Sequence, residues 1–308
     1  MVILKKIDMS RFAHLYPFKS NYMNVNGFQY HYVDEGQGEP LLMLHGNPTW
    51  SFYYRQLIKR FAPNYRVLCP DHIGCGLSEK PRPSAYGYRL KDRVADLEAF
   101  IRQLDINRIT LIVHDWGGFI GCAYALRNPE RVRRMVITNT AAFLKPAGKP
   151  MPLRLRLLRH LTPFAVPAIL GGNLFCRAAL YMAPRTRLSR DVKAGLIAPY
   201  NSWNNRIATL KFVQDIALSP EDPSYDMGQY LEDNLHILSD YPMLICWGMH
   251  DFVFDRSYLL EWQRRFPAAE CHEFENAGHF LLEDAPEAVG DRIETFINSK
   301  EENGRTRR

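Results

Sequence analysis

The run LIVHDWGG, from Leu111 to Gly118, carries the strongest chemical signal in the chain. An apolar, strand-like stretch meets a carboxylate, then two glycines, then a helical segment over 119–126. The glycines allow a tight bend, and such a bend bares the side chain of Asp115. A carboxylate oxygen presented this way can attack an electrophilic carbon and form an ester bond to the protein, which must then be broken. If water breaks it, a base is needed. His279 in NAGHF supplies one, in a loop just past a strand-like run and beside Gly278. Asp251, at the end of MLICWGMHD from Met243, would fix the tautomer of that imidazole and stabilise its protonated form. Nucleophile, acid and histidine fall in an order such triads adopt on a strand–turn–helix frame. An Asp at this place can also be a plain helix cap; the two downstream partners argue against it. The other strand end that could hold the acid reads TNTA at 138–141 and has no carboxylate.

A fourth piece is LHGNPTW, from Leu44 to Trp50. Backbone N–H groups of Asn47 and Trp116 are expected to form an anion hole. Their side chains, an amide and an indole, are also donors. Aimed at one point in a dry pocket, they would stabilise a departing anion. DHIGCGLS from Asp71 contains G-x-G, but no helix-opening G-x-x-G follows, so a dinucleotide site is not expected. His45 and His114 flank the site as scaffold. The six cysteines lie far apart with no C-x-x-C or zinc spacing, which reads as reduced structural thiols; no metal or cofactor is expected.

Something must position these groups. Buried, β-branched runs at 41–44, 66–69, 109–113, 135–138, 242–246 and 270–274 alternate with helical stretches, the pattern of a mostly parallel sheet. The segment 28–33 alternates and turns at Glu35-Gly36, which suits an antiparallel edge pair. Val94, Leu97, Ile101 and Leu104 recur at helical spacing. Strand signals stop near Thr140 and resume near Tyr241. The expected organisation is an α/β core over 1–142 and 239–298, an all-helical cap inserted at 143–238, and a disordered tail at 299–308. In open α/β sheets, ligands bind at the carboxyl ends of the strands, where such a cap would lie.

Composition narrows the class. With 46% hydrophobic and 23% charged residues, the 308-residue chain is ordinary globular protein. A charge of +6 without a Lys/Arg stripe interleaved with aromatics does not read as nucleic-acid binding. The start, MVILKKIDMSRF, is no signal peptide, and no run reaches the ~18 apolar residues of a spanning helix. A cytoplasmic protein is the expectation.

HGNPTWSFYYR, PDHIGCGLS, HDWGG, WGMHDFVF and AGHFLLEDAPE, in that order, resemble the haloalkane dehalogenase superfamily of α/β-hydrolases across nearly the whole core. The resemblance implies an eight-stranded sheet, an alkyl ester on Asp115, assistance from His279 and Asp251, and leaving-anion stabilisation by Asn47 and Trp116. An Asp acid with an Asn/Trp pair is similar to the third dehalogenase subfamily. The cap run APYNSWNNRIATLKFVQDI, from Ala198, resembles one branch in particular, the β-lactone decarboxylases of bacterial long-chain olefin biosynthesis. These convert a cis-β-lactone with two alkyl chains into a cis-alkene and carbon dioxide.

Four readings stay open: lactone decarboxylation, which leads; haloalkane dehalogenation; epoxide hydrolysis, which would need Tyr181 or Tyr200 in the pocket; and a non-catalytic scaffold. Trp203 is a candidate substrate contact. The apolar, arginine-threaded segment 151–170 suggests a tunnel for alkyl chains, or contact with a membrane surface or a pathway enzyme. The expected ligand is a small hydrophobic substrate.

Overall fold

A computed structural model describes residues 7–144, 146 and 162–305. Eight strands form one sheet: β1 (Asn21–Val25), β2 (Phe28–Glu35), β3 (Pro40–Leu44), β4 (Arg66–Pro70), β5 (Ile109–His114), β6 (Val132–Thr138), β7 (Met243–Gly248) and β8 (Glu270–Phe274). Their spatial order is β1-β2-β4-β3-β5-β6-β7-β8. β2 runs antiparallel to both neighbours, and all other pairs are parallel. β5 and β7 are buried at every residue, as the apolar runs require of strands covered on both faces.

Alternate residues feed two separate cores. Leu42, Leu44, Leu111 and Val113 join one, with helices α2 (Leu90–Leu104) and α3 (Trp116–Arg127). Leu41, Met43 and Ile112 join the other, with α1 (Arg55–Phe61) and the C-terminal helix Pro286–Arg305. This is the strand period of two acting on both faces. The helical spacing at Val94, Leu97 and Ile101 is the buried stripe of α2.

Two sequence expectations need correction. The antiparallel edge strand is β1, joined to β2 through Asn26 and Gly27, both at positive φ, the form a tight hairpin turn demands. The chain leaving Glu35-Gly36 enters β3, which pairs with β4 and not with β2. β1 reads NYMNV and is largely open to solvent, so it lacks the apolar signature of the inner strands. The tail expected to be disordered from Ser299 continues the last helix to Arg305; 306–308 lie outside the described residues.

Between β6 and β7 the described residues form helices and loops with no strand. The helices include Leu174–Met182, Arg190–Ile197, Ile207–Gln214 and Tyr225–Asn234. Residues 151–161 of the arginine-threaded segment lie outside the described residues. Among the described residues no single helix is long and apolar enough to cross a membrane.

Candidate active site

Asp115 sits where β5 becomes α3, with φ 52° and ψ −127°. A non-glycine residue there is strained by about 1–3 kcal/mol, and the surroundings must hold it. Thr140 donates its hydroxyl to the Asp115 carbonyl, and the Asp115 N–H donates to the carbonyl of Asn139 at 3.2 Å. The bend passes so close to β3 that a Cβ at Gly117 would strike the Leu44 carbonyl, and one at Gly46 would overlap the Asp115 carboxylate. Only glycine fits either place.

The two carboxylate oxygens have different surroundings. Oδ1 accepts the Asn47 backbone N–H at 2.6 Å, with the Trp116 N–H also favouring its charge. Oδ2 faces Nε2 of His279 at 3.7 Å. One oxygen is anchored and the other is available to attack. Burial pushes the Asp115 carboxyl up from its usual value, opposed by the imidazole and the backbone donors.

His279 follows β8, and its Nδ1 lies 2.7 Å from Oδ2 of Asp251. Burial works to lower its pKa, but the charge and hydrogen bond of Asp251, with help from Asp115, leave it above 6.5. Asp251 is itself saturated. Its Oδ1 accepts the backbone N–H of Val253 (2.7 Å) and Phe254 (3.0 Å), and its Oδ2 accepts Asn139 Nδ2 at 3.0 Å. Asn139 occupies the strand end that carries no carboxylate. It also exchanges hydrogen bonds with the Gly248 backbone, accepting its N–H at 2.8 Å and donating to its carbonyl at 3.1 Å. Sequence reasoning weighed that position only as an empty acid site and missed it as a brace for Asp251.

His45 and His114 are fully buried braces. His45 Nδ1 meets the Gly46 carbonyl at 2.8 Å, and burial lowers its pKa to about 4. His114 Nε2 holds the His279 carbonyl at 2.8 Å. Asp71 of the G-x-G stretch accepts the backbone N–H of Ser51 (2.7 Å) and Leu77 (2.8 Å), so that motif is turn scaffolding. All six cysteines are free, and five are buried.

Above Asp115 and His279 opens a cavity of about 560 Å³, within the usual range for small-molecule sites. Asn47 and Trp116 line it beside the carboxylate. The Asn47 side chain also reaches the cap, donating to the Thr209 carbonyl at 3.1 Å. Trp116 is wedged against Phe119 and Phe212. The rest of the wall is almost wholly apolar. Its second carboxylate, Asp215, is consumed by Arg89 (3.1 Å), the Leu90 N–H (2.7 Å) and the Ser224 hydroxyl (2.8 Å).

Trp203 is not part of this wall. It is 47% exposed on the outside of the cap, near Gly171. Its place in a motif-like cap run had suggested a substrate contact, but the helix Ile207–Gln214 that follows is what faces inward, through Val213. Tyr181 is 71% exposed, and buried Tyr200 donates to the Thr49 carbonyl; neither lines the cavity. The pair that epoxide hydrolysis would need is absent from the described wall.

The chain is similar to several known proteins. A family model described as the alpha/beta hydrolase fold matches residues 39–286. Proteins named cis-3-alkyl-4-alkyloxetan-2-one decarboxylase are 47% identical in Shewanella oneidensis, over 93% of this chain and 91% of theirs, and 40% identical in Xanthomonas campestris, over 92% and 97%. Haloalkane dehalogenase 2 of Mycobacterium bovis is 32% identical over 93% of this chain and 98% of its own. The crystal structure of a haloalkane dehalogenase from Bradyrhizobium elkani superposes with a TM-score of 0.83 at 27% identity, covering 93% of this chain and 99% of that one. The chain belongs to the α/β-hydrolase fold family, in its haloalkane dehalogenase superfamily of enzymes.

Proposed function

We propose that this enzyme decarboxylates a long-chain cis-β-lactone (a cis-3-alkyl-4-alkyloxetan-2-one) to a cis-alkene and carbon dioxide, with Asp115 as nucleophile. The observation that carries the reading is a half-anchored carboxylate on the floor of a mostly apolar cavity of about 560 Å³, in a chain more similar to the two decarboxylases than to the dehalogenase above.

Oδ2 attacks ring carbon C4 from behind. The C4–O bond breaks, and its electron pair becomes a carboxylate still attached through C3. Asn47 and Trp116 receive that anion with their amide and indole N–H groups, in a wall too apolar to solvate it otherwise. The C2–C3 bond then breaks and its electrons form the C3=C4 double bond. Carbon dioxide departs and the C4–Oδ2 pair returns to Asp115. Inversion followed by anti elimination converts a cis-lactone into a cis-alkene, and no water or proton is consumed. The anchored Oδ1 stabilises Asp115 as it leaves. His279, held by Asp251, favours the ionised carboxylate, and acts as base toward water only when the ester has no neighbouring carboxylate to expel.

The Asn47/Trp116 donors and the dehalogenase relative favour a second reading, in which the departing anion is halide and water cleaves the ester. Purified protein incubated with a long-chain cis-β-lactone and, separately, with a dibromoalkane separates the two. The decarboxylase reading expects alkene and carbon dioxide in equal amounts with little halide release. Steady halide turnover without alkene would replace it by dehalogenation.

A further inference from the structure

Among the described residues, several that line the cavity and reach the surface are apolar. Phe164, Leu174, Met182 and Phe252 line it and are at the same time exposed, Phe164 by 74% and Leu174 by 57%. Helix Leu174–Met182 shows why this is unusual. Its Cys176 and Leu180 face the protein interior, and Phe175 and Ala179 face the cavity. At 100° per residue the remaining stripe is Leu174, Arg177, Ala178, Tyr181 and Met182, and all five are exposed. A cap helix bathed only in water carries its polar residues there. This one carries four apolar residues and one cation.

The preceding segment repeats the pattern. Pro163–Gly171 and Leu174–Met182 together reach the hydropathy of a membrane span, but the chain bends by 74° between them. Neither helix alone is long and apolar enough to cross a bilayer, and two apolar helices joined at such a bend can both lie in its surface. Arg177 lies within the stripe, and exposed Arg185, Arg187 and Arg190 follow the helix in sequence; cations of this kind favour an anionic surface.

We propose that the cap mouth docks on an anionic lipid bilayer, so that substrate passes from the membrane into the cavity without crossing water. The occupant is a lipid surface and not a soluble partner, because the patch is the rim of the cavity itself: whatever covers it must also deliver the ligand. The delivery step rests on the lactone reading, whose substrate carries two alkyl chains. Docking itself does not, and is measured without substrate.

The experiment is flotation of the purified full-length chain with phosphatidylglycerol/phosphatidylethanolamine vesicles and with phosphatidylcholine vesicles. The wild-type chain is expected to float with the anionic vesicles and at least tenfold less with the neutral ones. Phe164→Ser with Leu174→Ser should reduce anionic binding about tenfold or more. Arg177→Glu with Arg187→Glu should weaken it without abolishing residual apolar binding. Circular dichroism and the melting temperature confirm that each variant is folded. Docking is overturned if the wild-type floats with neither vesicle, if the serine variant binds as well as wild-type, or if the chain sediments as a dimer that Leu174→Ser converts to a monomer. The last outcome assigns the face to a second copy. Loss of lactone turnover with vesicle binding intact removes only the delivery step.

Discussion

The floor of the cavity and its mouth are built by opposite means. On the floor, the reacting groups are held by fixed hydrogen bonds: Asp115 Oδ1 on the Asn47 N–H, His279 Nδ1 on Asp251, and Asp251 on Asn139, Val253 and Phe254. These groups hang from the ends of β3, β5, β6 and β7 and from the loop after β8, within the most buried part of the sheet. The mouth has almost no hydrogen bonds to its ligand space and is shaped by alanines, phenylalanines and methionine on cap helices. The lesson is a division of labour. On the proposed function, a preorganised polar cradle would decide which bond is attacked, while an apolar cap would decide which molecule reaches it. Halide and lactone carboxylate are both anions that depart toward the same two donors, so the floor alone does not choose between them.

Breaking the floor should cost most. Asp115→Asn is expected to reduce turnover on the order of 10⁶-fold, as losing a nucleophile does. It should also raise the melting temperature at pH 7. Burial raises the Asp115 pKa, so the stability tied to its protonated form is present below pH 3.8 and lost as pH rises through the raised value. A neutral amide removes that cost. An unchanged or lower melting temperature would contradict the burial account.

Asn139→Ala sharpens the comparison one layer out. It removes a donor to a buried carboxylate, worth about 1–3 kcal/mol, so kcat on a bromoalkane probe should fall about ten- to a hundredfold. Hydrolysis of the ester needs neutral His279, so its rate falls as pH drops through a value above 6.5. Without the Asn139 donor the Asp251 charge is less dispersed, and this limb should move to higher pH; a limb that stays in place would reduce Asn139 to packing. The same raised His279 pKa stabilises the folded chain below pH 6.5, an effect that fades as pH rises through the folded value.

In the cap, Ala179→Leu narrows the apolar wall formed by helix Leu174–Met182. It should lower kcat/KM for the longest-chain lactone about tenfold while leaving short-chain kcat within about twofold. Equal losses for both would place Ala179 too near the reacting carbon. The smallest effect belongs to Trp203→Ala, expected within about threefold of wild-type kcat/KM because that ring lies outside the cavity wall.

How much was legible in the sequence follows the same division. Inner strands announced themselves because burial on both faces demands unbroken apolar runs, and the residues proposed as nucleophile, acid and base stood at or just past strand ends in a fixed order. Asn139 was passed over because its role is to hold another side chain, which depends on how β6 and β7 pair rather than on any local pattern. β1 escaped because an edge strand can be polar. Trp203 was misjudged for a related reason. A motif-like run says that a segment is shared with relatives, but not which of its faces turns inward.

The central claim is that Asp115 Oδ2 becomes covalently bonded to carbon. His279→Gln incubated with a long-chain bromoalkane reads this directly, since the ester formed has no neighbouring carboxylate to expel and no base to hydrolyse it. Mass spectrometry of the peptide containing Asp115 should show one added alkyl group, with one equivalent of bromide released. An unmodified Asp115 peptide alongside continued bromide release, or an alkyl group on another residue, would contradict the account.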